Sequence, residues 1–156
     1  MGFSSITNDI NQHIVGRVGR VFNLEAIDAY FEAQIVPTFD RKVEGHGMSK
    51  SAIGLLCYKI GLAEGETATS TIVQYDSEDG TTFTEIGTIY TETFTGGVGG
   101  SEETVFRQIV LDWSTYRRYI RHINTLELST LEENPTDYIR GALVYAIAGF
   151  AVTGDI

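Results

Sequence analysis

Thr67-Ala68-Thr69-Ser70-Thr71-Ile72-Val73-Gln74-Tyr75-Asp76-Ser77-Glu78-Asp79-Gly80-Thr81-Thr82-Phe83-Thr84-Glu85-Ile86 decides the fold. Its first part alternates: Ala68, Ser70, Ile72 and Gln74 fall on one side, and Thr69, Thr71, Val73 and Tyr75 on the other. That is the period of two imposed by a pleated strand, and threonine and β-branched residues fit such a surface. Asp76 to Gly80 ends the alternation with short polar side chains, and Asp79-Gly80 supplies the positive φ of a two-residue hairpin. A strand from Thr81 to Ile89 is expected to return beside the first.

Working outward, the apolar run from Ser51 to Leu62 and a turn at Gly65 predict a strand that pairs with Thr67–Tyr75. Downstream, Gly96-Gly97-Val98-Gly99-Gly100 reads as a flexible surface loop between two alternating runs, Tyr90 to Thr95 and Val105 to Asp112. Strands from Tyr119 to Leu128 and from Tyr138 to Val152 follow, separated by an acidic turn at Glu132-Glu133-Asn134-Pro135. About eight short strands with regular turn signals predict an all-β fold: a jelly-roll-like antiparallel β-sandwich with a short N-terminal helical or extended arm.

The first fifty residues follow a different pattern. Ile6, Ile10, Ile14 and Val18 recur every four residues among Asn8, Asp9, Asn11 and Gln12, a spacing that predicts a short helix with one apolar stripe. Val21 to Phe39 divides into a helix carrying Leu24, Ile27 and Phe31 and a strand at Ala33–Val36 leading to Pro37. Lys42 to Lys50, which includes His46, reads as a loop. Residues 1–50 are therefore expected to form the arm and first elements packed on a core of residues 51–156, one domain in all.

Composition bounds the partners. Eleven Lys+Arg against 21 Asp+Glu give a formal charge of −10, which repels nucleic-acid phosphates and anionic headgroups, so neither nucleic acid nor membrane is expected as partner. Charge is also segregated along the chain. Nine acids, eleven threonines and no basic residue lie between Lys59 and Arg107, whereas Arg107, Arg117, Arg118, Arg121 and Arg140 follow. The apolar run Ala142–Val152 is far shorter than the ~20 residues that cross a bilayer. No signal-peptide pattern opens the chain. Cys57 is the single cysteine and reads as a small buried hydrophobe.

The chemistry-bearing residues are scattered. His13, His46 and His122 lack a second ligand at helical metal-site spacing, and each is expected at the surface or in a loop. Gly96 to Gly100 lacks the Lys-Ser/Thr of a phosphate loop, and there is no Gly-x-Ser-x-Gly elbow. Asp76, Glu78 and Asp79 lack the ligand spacing of an EF-hand, so a hairpin turn is preferred to calcium binding. Trp113, Tyr116, Tyr119 and Arg118 form either a sugar-stacking platform or core and interface packing, the latter being favoured. No catalytic residue, cofactor or metal is expected.

The segment Thr71 to Ile86, the Gly96–Gly100 stretch, Arg118-Tyr119-Ile120-Arg121 and the closing apolar strand Gly141–Phe150 together resemble small β-sandwich virion proteins of tailed bacteriophages. The resemblance covers residues 51–152. It implies a non-enzymatic capsid decoration or cement protein, located in the virion after assembly in the host cytoplasm. The implied partners are the major capsid protein or another virion protein and further copies of the chain, as a trimer. Partner contacts are then expected from Ile6, Ile10, Ile14 and Val18 of the arm, from His46, and from Trp113, Tyr116 and Arg118. Arg118–Arg121 is also similar to a stretch of discoidin-like sugar- and lipid-binding sandwiches, which gives the alternative of a carbohydrate-binding or host-adhesion module at the phage tail. Ser77 to Phe83 is similar to a sialidase-type Asp-box one residue short, present only once.

Overall fold

A computed structural model describes residues 14–26, 28–29, 31–35, 38–44, 51–129 and 136–148. Nine strands are described: β1 (Ile14–Glu25), β2 (Phe31–Ile35), the two-residue β3 (Phe39–Asp40), β4 (Ser51–Leu62), β5 (Thr67–Ser77), β6 (Thr84–Thr95), β7 (Ser101–Asp112), β8 (Tyr119–Leu128) and β9 (Tyr138–Ala148). A single helical turn, α1 (Arg41–Glu44), follows β3.

Pairing nests around the Asp79-Gly80 hairpin. β5 pairs with β6, β4 with β7, β2 and β3 with β8, and β1 with β9, all antiparallel. The ribbon then rolls so that β5 also meets β8, and β4 also meets β9. Two sheets result, β1-β9-β4-β7 and β2-β8-β5-β6 with β3 beside β8. That nested, rolled order is the jelly roll.

Consecutive strands therefore often belong to different sheets, which corrects one expected pairing. β4 and β5 do not pair; the turn at Ala63–Glu66 carries the chain from one sheet to the other. The hairpin at Asp79-Gly80 is also wider than two residues. β5 ends at Ser77 and β6 begins at Thr84 because the Asp79 carboxylate accepts the N–H groups of Thr81 and Thr82, each at 2.8 Å. Gly80 has φ 76° there and donates its N–H to Ser77 Oγ at 2.9 Å. The runs expected on either side of Ile89 are one strand, β6.

The core lies between the sheets: Phe22, Leu24, Leu56, Tyr58, Ile60, Ile72, Ile120, Leu126, Ile139, Leu143 and Tyr145 are buried. A polar stripe from the middle of β5 and β8 runs through it. Tyr58 Oη bonds Ser70 Oγ at 2.8 Å, and Ser70 Oγ donates to Asn124 Oδ1 at 3.1 Å. Gln74 Oε1 accepts the Trp113 indole N–H at 2.9 Å and stands 2.9 Å from His122 Nε2. His122 Nδ1 lies 2.6 Å from Tyr145 Oη. His122 is thus a fully buried core residue, not a surface one, with both ring nitrogens engaged as burial requires.

The helix expected over Ile6–Val18 is not formed at its C-terminal end: Ile14 to Val18 are strand, opposite Ala148 to Val144 of β9. A four-residue spacing is also a multiple of two, so such a pattern fits the alternation of a strand as readily as one face of a helix. Ile6 and Ile10 lie outside the described residues, as does His46. Leu24 likewise sits in β1, and Phe31 in β2, where a helix was expected.

Candidate interaction face

The outer face of the β1-β9-β4-β7 sheet is assembled from every second residue of four strands. Register places Val21, Ala142, Cys57 and Phe106 in one row across the sheet, Val144, Leu55 and Gln108 in the next, and Ala146, Ile53 and Val110 in a third. Their chain neighbours Phe22, Leu56, Leu143 and Ile109 point into the core. β4 is therefore apolar on both sides, the pattern of a strand covered on both faces. Cys57 is half-buried on this outer face, which corrects the expectation of a core cysteine.

The relief of this face is uneven. Val21 on edge strand β1 is 70% exposed, and Phe106 and Val110 on edge strand β7 are 70% and 73% exposed. Between them Val144, Ile53 and Leu55 are 37% to 49% exposed, and the small residues Ala142, Ala146 and Cys57 are half-buried. The most exposed side chains stand on the edge strands, Phe106 and Val110 together along β7, and the small residues Ala142, Ala146 and Cys57 lie among Val144, Leu55 and Ile53 on the central strands.

Toward the Ala63 end the same face turns polar, and its charges neutralise one another. Lys59 Nζ meets Glu102 at 2.9 Å, and Arg140 meets Glu25 at 3.4 Å. Glu102 also accepts the Tyr138 hydroxyl at 2.8 Å. The Lys59 bond and that hydroxyl hold the Glu102 carboxyl below its ordinary range. The Tyr138 ring covers Gly61, where a Cβ would stand 2.4 Å from it. An open cleft of about 540 Å³ lies beside it, lined by Gly61, Leu62, Gly100, Glu102, Asp137 and Tyr138. Its acids serve the fold: Asp137 Oδ1 accepts the Ala63 N–H at 2.7 Å, although burial raises the Asp137 pKa.

The opposite outer face, on β5 and β6, carries hydroxyls. Thr69 bonds Thr93 at 2.9 Å and Thr71 bonds Thr91 at 3.2 Å across the strands. The two faces of the sandwich thus differ in kind.

Of the residues expected to contact a partner, Trp113 has no exposed surface. It packs on Phe39 at 5.8 Å between ring centres and donates to Gln74, which removes it from any sugar platform or interface. Tyr116 is half-buried against the core. Arg118 forms a two-pronged pair with Asp40, at 2.9 and 2.7 Å, and lies 5.0 Å from the Tyr119 ring centre. Buried Arg41 donates to the carbonyls of Tyr116 and Arg117, the latter at 2.9 Å. The Trp113–Arg118 segment is a clamp that joins β3 and α1 to the sandwich.

The acidic turn is equally occupied. Asp76 pairs with Arg117 Nε at 3.0 Å, and the backbone N–H groups at Thr82 and Thr81 push the Asp79 carboxyl well below its ordinary range. Among the described residues no three His, Cys, Asp or Glu side chains gather as a metal-holding group. The glycine-rich loop is pinned rather than loose. Gly96 donates its N–H to Glu66 O at 2.8 Å and accepts that of Gly65 at 3.0 Å, and Gly99 donates to Glu64 Oε2 at 2.9 Å.

Sequence reasoning passed over Val21, Ile53, Leu55, Phe106, Val110 and Val144. The signal available was the continuous apolar run of β4, which one-sided burial does not require.

No protein-family model and no curated protein sequence matches the chain. Solved structures are similar in shape. A chain of infectious bursal disease virus Gx strain is 14% identical with a TM-score of 0.45, over 86% of this chain and 31% of that one, so this chain spans about a third of its length. The CBM22-1 xylan-binding domain of Paenibacillus barcinonensis Xyn10C is 10% identical with a TM-score of 0.42, over 86% of this chain and 99% of that one. Murine APRIL is 11% identical with a TM-score of 0.39, over 86% of this chain and 97% of that one.

Proposed function

We propose that the chain is a non-enzymatic structural protein of a virion, a capsid decoration or cement protein of a tailed phage. The observation that carries this reading is the apolar outer face of β1-β9-β4-β7. Six large apolar side chains exposed together match the patches of a few hundred Å² that mark protein–protein contact surfaces. The three rows that carry these side chains hold no ionised residue, which suits a surface that works by being covered. The likeness of Thr71–Ile86, Gly96–Gly100 and Arg118–Arg121 to small phage virion proteins supports the virion setting. The N-terminal residues Ile6 and Ile10 supply a further grip on the major capsid protein in this reading.

The test is imaging of particles assembled with a labelled copy of the protein, alongside a Phe106→Asp, Val110→Asp double variant. Wild type is expected on the outer shell in many copies, and the variant is expected to keep its far-UV circular dichroism but lose particle association. Absence of wild type from particles, or full occupancy by the folded variant, overturns the reading.

A further inference from the structure

We infer that the apolar face of β1-β9-β4-β7 is where two copies of this chain pack face to face, so that a two-fold dimer is the unit that assembles. This rests on the reading of that face as a contact surface and names its occupant.

The first argument is shape. Phe106 and Val110 of one copy stand exposed on an edge strand, and a two-fold axis sets them over the small residues Ala142, Ala146 and Cys57 of the other and repeats the contact in reverse. One surface that carries both large and small apolar residues is what an isologous interface requires, and two sheets stacked this way lie ~10 Å apart.

The second argument is charge. The chain carries −10, so most approaches between two copies set acid against acid. On this face the three apolar rows contain no ionised side chain; beyond them at one end two basic residues, Lys59 and Arg140, are paired with two acids, Glu102 and Glu25, and at the other end Asp112 closes the outer alternation of β7. A like-charged copy meets least repulsion here. A basic partner would gain nothing from this face and would be drawn elsewhere, to the acid-rich surfaces.

The third argument is area. Six large side chains at these exposures offer roughly 600 Å² of apolar surface. Half-buried Cys57, Ala142 and Ala146 and exposed Gln108 extend it toward the ~800 Å² per partner of a standard interface.

The chain holds its own reporter, because Cys57 is its single cysteine and lies half-buried on this face, paired with Phe106 in the sheet register. Sedimentation and light scattering of the full chain across a concentration series are expected to show a monomer–dimer equilibrium. Val110→Asp is expected to weaken it at least about tenfold, the effect of losing one well-packed interface anchor. Iodoacetamide should alkylate Cys57 slowly in the dimer and at the monomer rate in Val110→Asp. Phe106→Ser, on the same edge strand, gives the same two shifts without burdening the fold.

Three results overturn the inference. The first is a wild type that stays monomeric with Cys57 equally reactive in both proteins. The second is a dimer that Val110→Asp leaves unchanged, which places the contact elsewhere. The third is a monomer that cosediments with phosphatidylcholine vesicles, which makes lipid the occupant. A monomeric wild type whose β7 variants still lose particle association removes only the second copy and leaves the virion role standing, with the capsid protein on this face.

Discussion

Acidifying the protein from pH 6.5 to pH 5 should destabilise it through one residue, His122. Its ring is fully buried, stacks on Tyr145 at 5.4 Å between centres, and has Phe39 and Trp113 rings beside it. Gln74 Oε1 accepts N–H groups from Trp113 and from His122 Nε2, so Nδ1 is left to accept the Tyr145 hydroxyl. A second proton on the ring would have to enter a site without water, and this desolvation pushes the His122 pKa down to about 3. The unfolded chain takes that proton near pH 6.5, whereas the folded one does not until about 3. Between those values the unfolded state binds more protons, so stability falls as pH falls, by ~1.4 kcal/mol per pH unit. Over the interval to pH 5 the loss is about 2 kcal/mol, or a melting temperature lower by roughly 4–8 °C in a domain of this size.

Other groups act alike in wild type and in a His122 variant. The depressed carboxyls of Glu92, Asp112 and Asp79 lose their stabilising contribution only as pH falls through their own low pKa values. Asp137, whose pKa is raised, acts with opposite sign and recovers stability on protonation. Urea midpoints for wild type and His122→Gln at pH 7, 6 and 5 isolate the residue, because His13 and His46 contribute equally to both. The variant is expected to be less stable at pH 7 but nearly level across the interval. Parallel pH slopes in the two proteins, or an imidazole NMR titration of His122 near 6.5 in the folded state, would refute the reasoning.

Two further predictions concern backbone. At Gly141 an added Cβ would stand 1.9 Å from the Cys57 carbonyl oxygen and 3.2 Å from Phe22 Cζ, inside the pairing of β9 with β4; Gly141→Ala is expected to cost ~2–4 kcal/mol by urea denaturation, and a loss below ~0.5 kcal/mol contradicts the close approach. Asp79→Ala removes the acceptor of the Thr81 and Thr82 N–H groups, so these two amides should exchange with solvent faster while amides of the β5:β8 ladder keep their protection.

The elements most legible in the sequence were those with one unambiguous signal. β4 and β8 have the limits that composition and turn residues gave them, and β5 exceeds its own by the two residues Asp76 and Ser77. The hairpin at Asp79-Gly80 is likewise where its turn chemistry placed it. Pairing between sheets was not legible, because a short turn such as Ala63–Glu66 is compatible with a hairpin or with a crossing between sheets. Its crossing is fixed by the nesting of β4 with β7, far along the chain. Nor did polarity indicate which side of β5 faces inward. Ala68, Ser70, Ile72 and Gln74 are buried, while Val73 and Tyr75 are on the outer side. Ser70 and Gln74 are tolerated inside because Tyr58, Asn124 and His122 from other strands and Trp113 just after β7 complete their hydrogen bonds, and no local pattern reveals partners so distant.

The candidate face was hidden for a related reason. A single strand shows its own alternation, but an apolar patch exists only when rows from four strands are set in register. Phe106 and Val110 in β7 look ordinary alone; beside Cys57 and Ile53 of β4, and with Ala142 and Ala146 of β9 beyond, they become one edge of an apolar face. Register is what makes this specific, since a slip of one residue would carry these side chains into the core and expose Ile109 and Leu111 in their place. β5 and β6 show that the fold does not need apolar residues outside: their outer ladder of Thr69 with Thr93 and Thr71 with Thr91 caps the same sandwich with hydroxyls. The apolar outer residues of β4, β7 and β9 are therefore not explained by the fold. On the proposed reading they belong to a surface that the folded chain leaves to be covered.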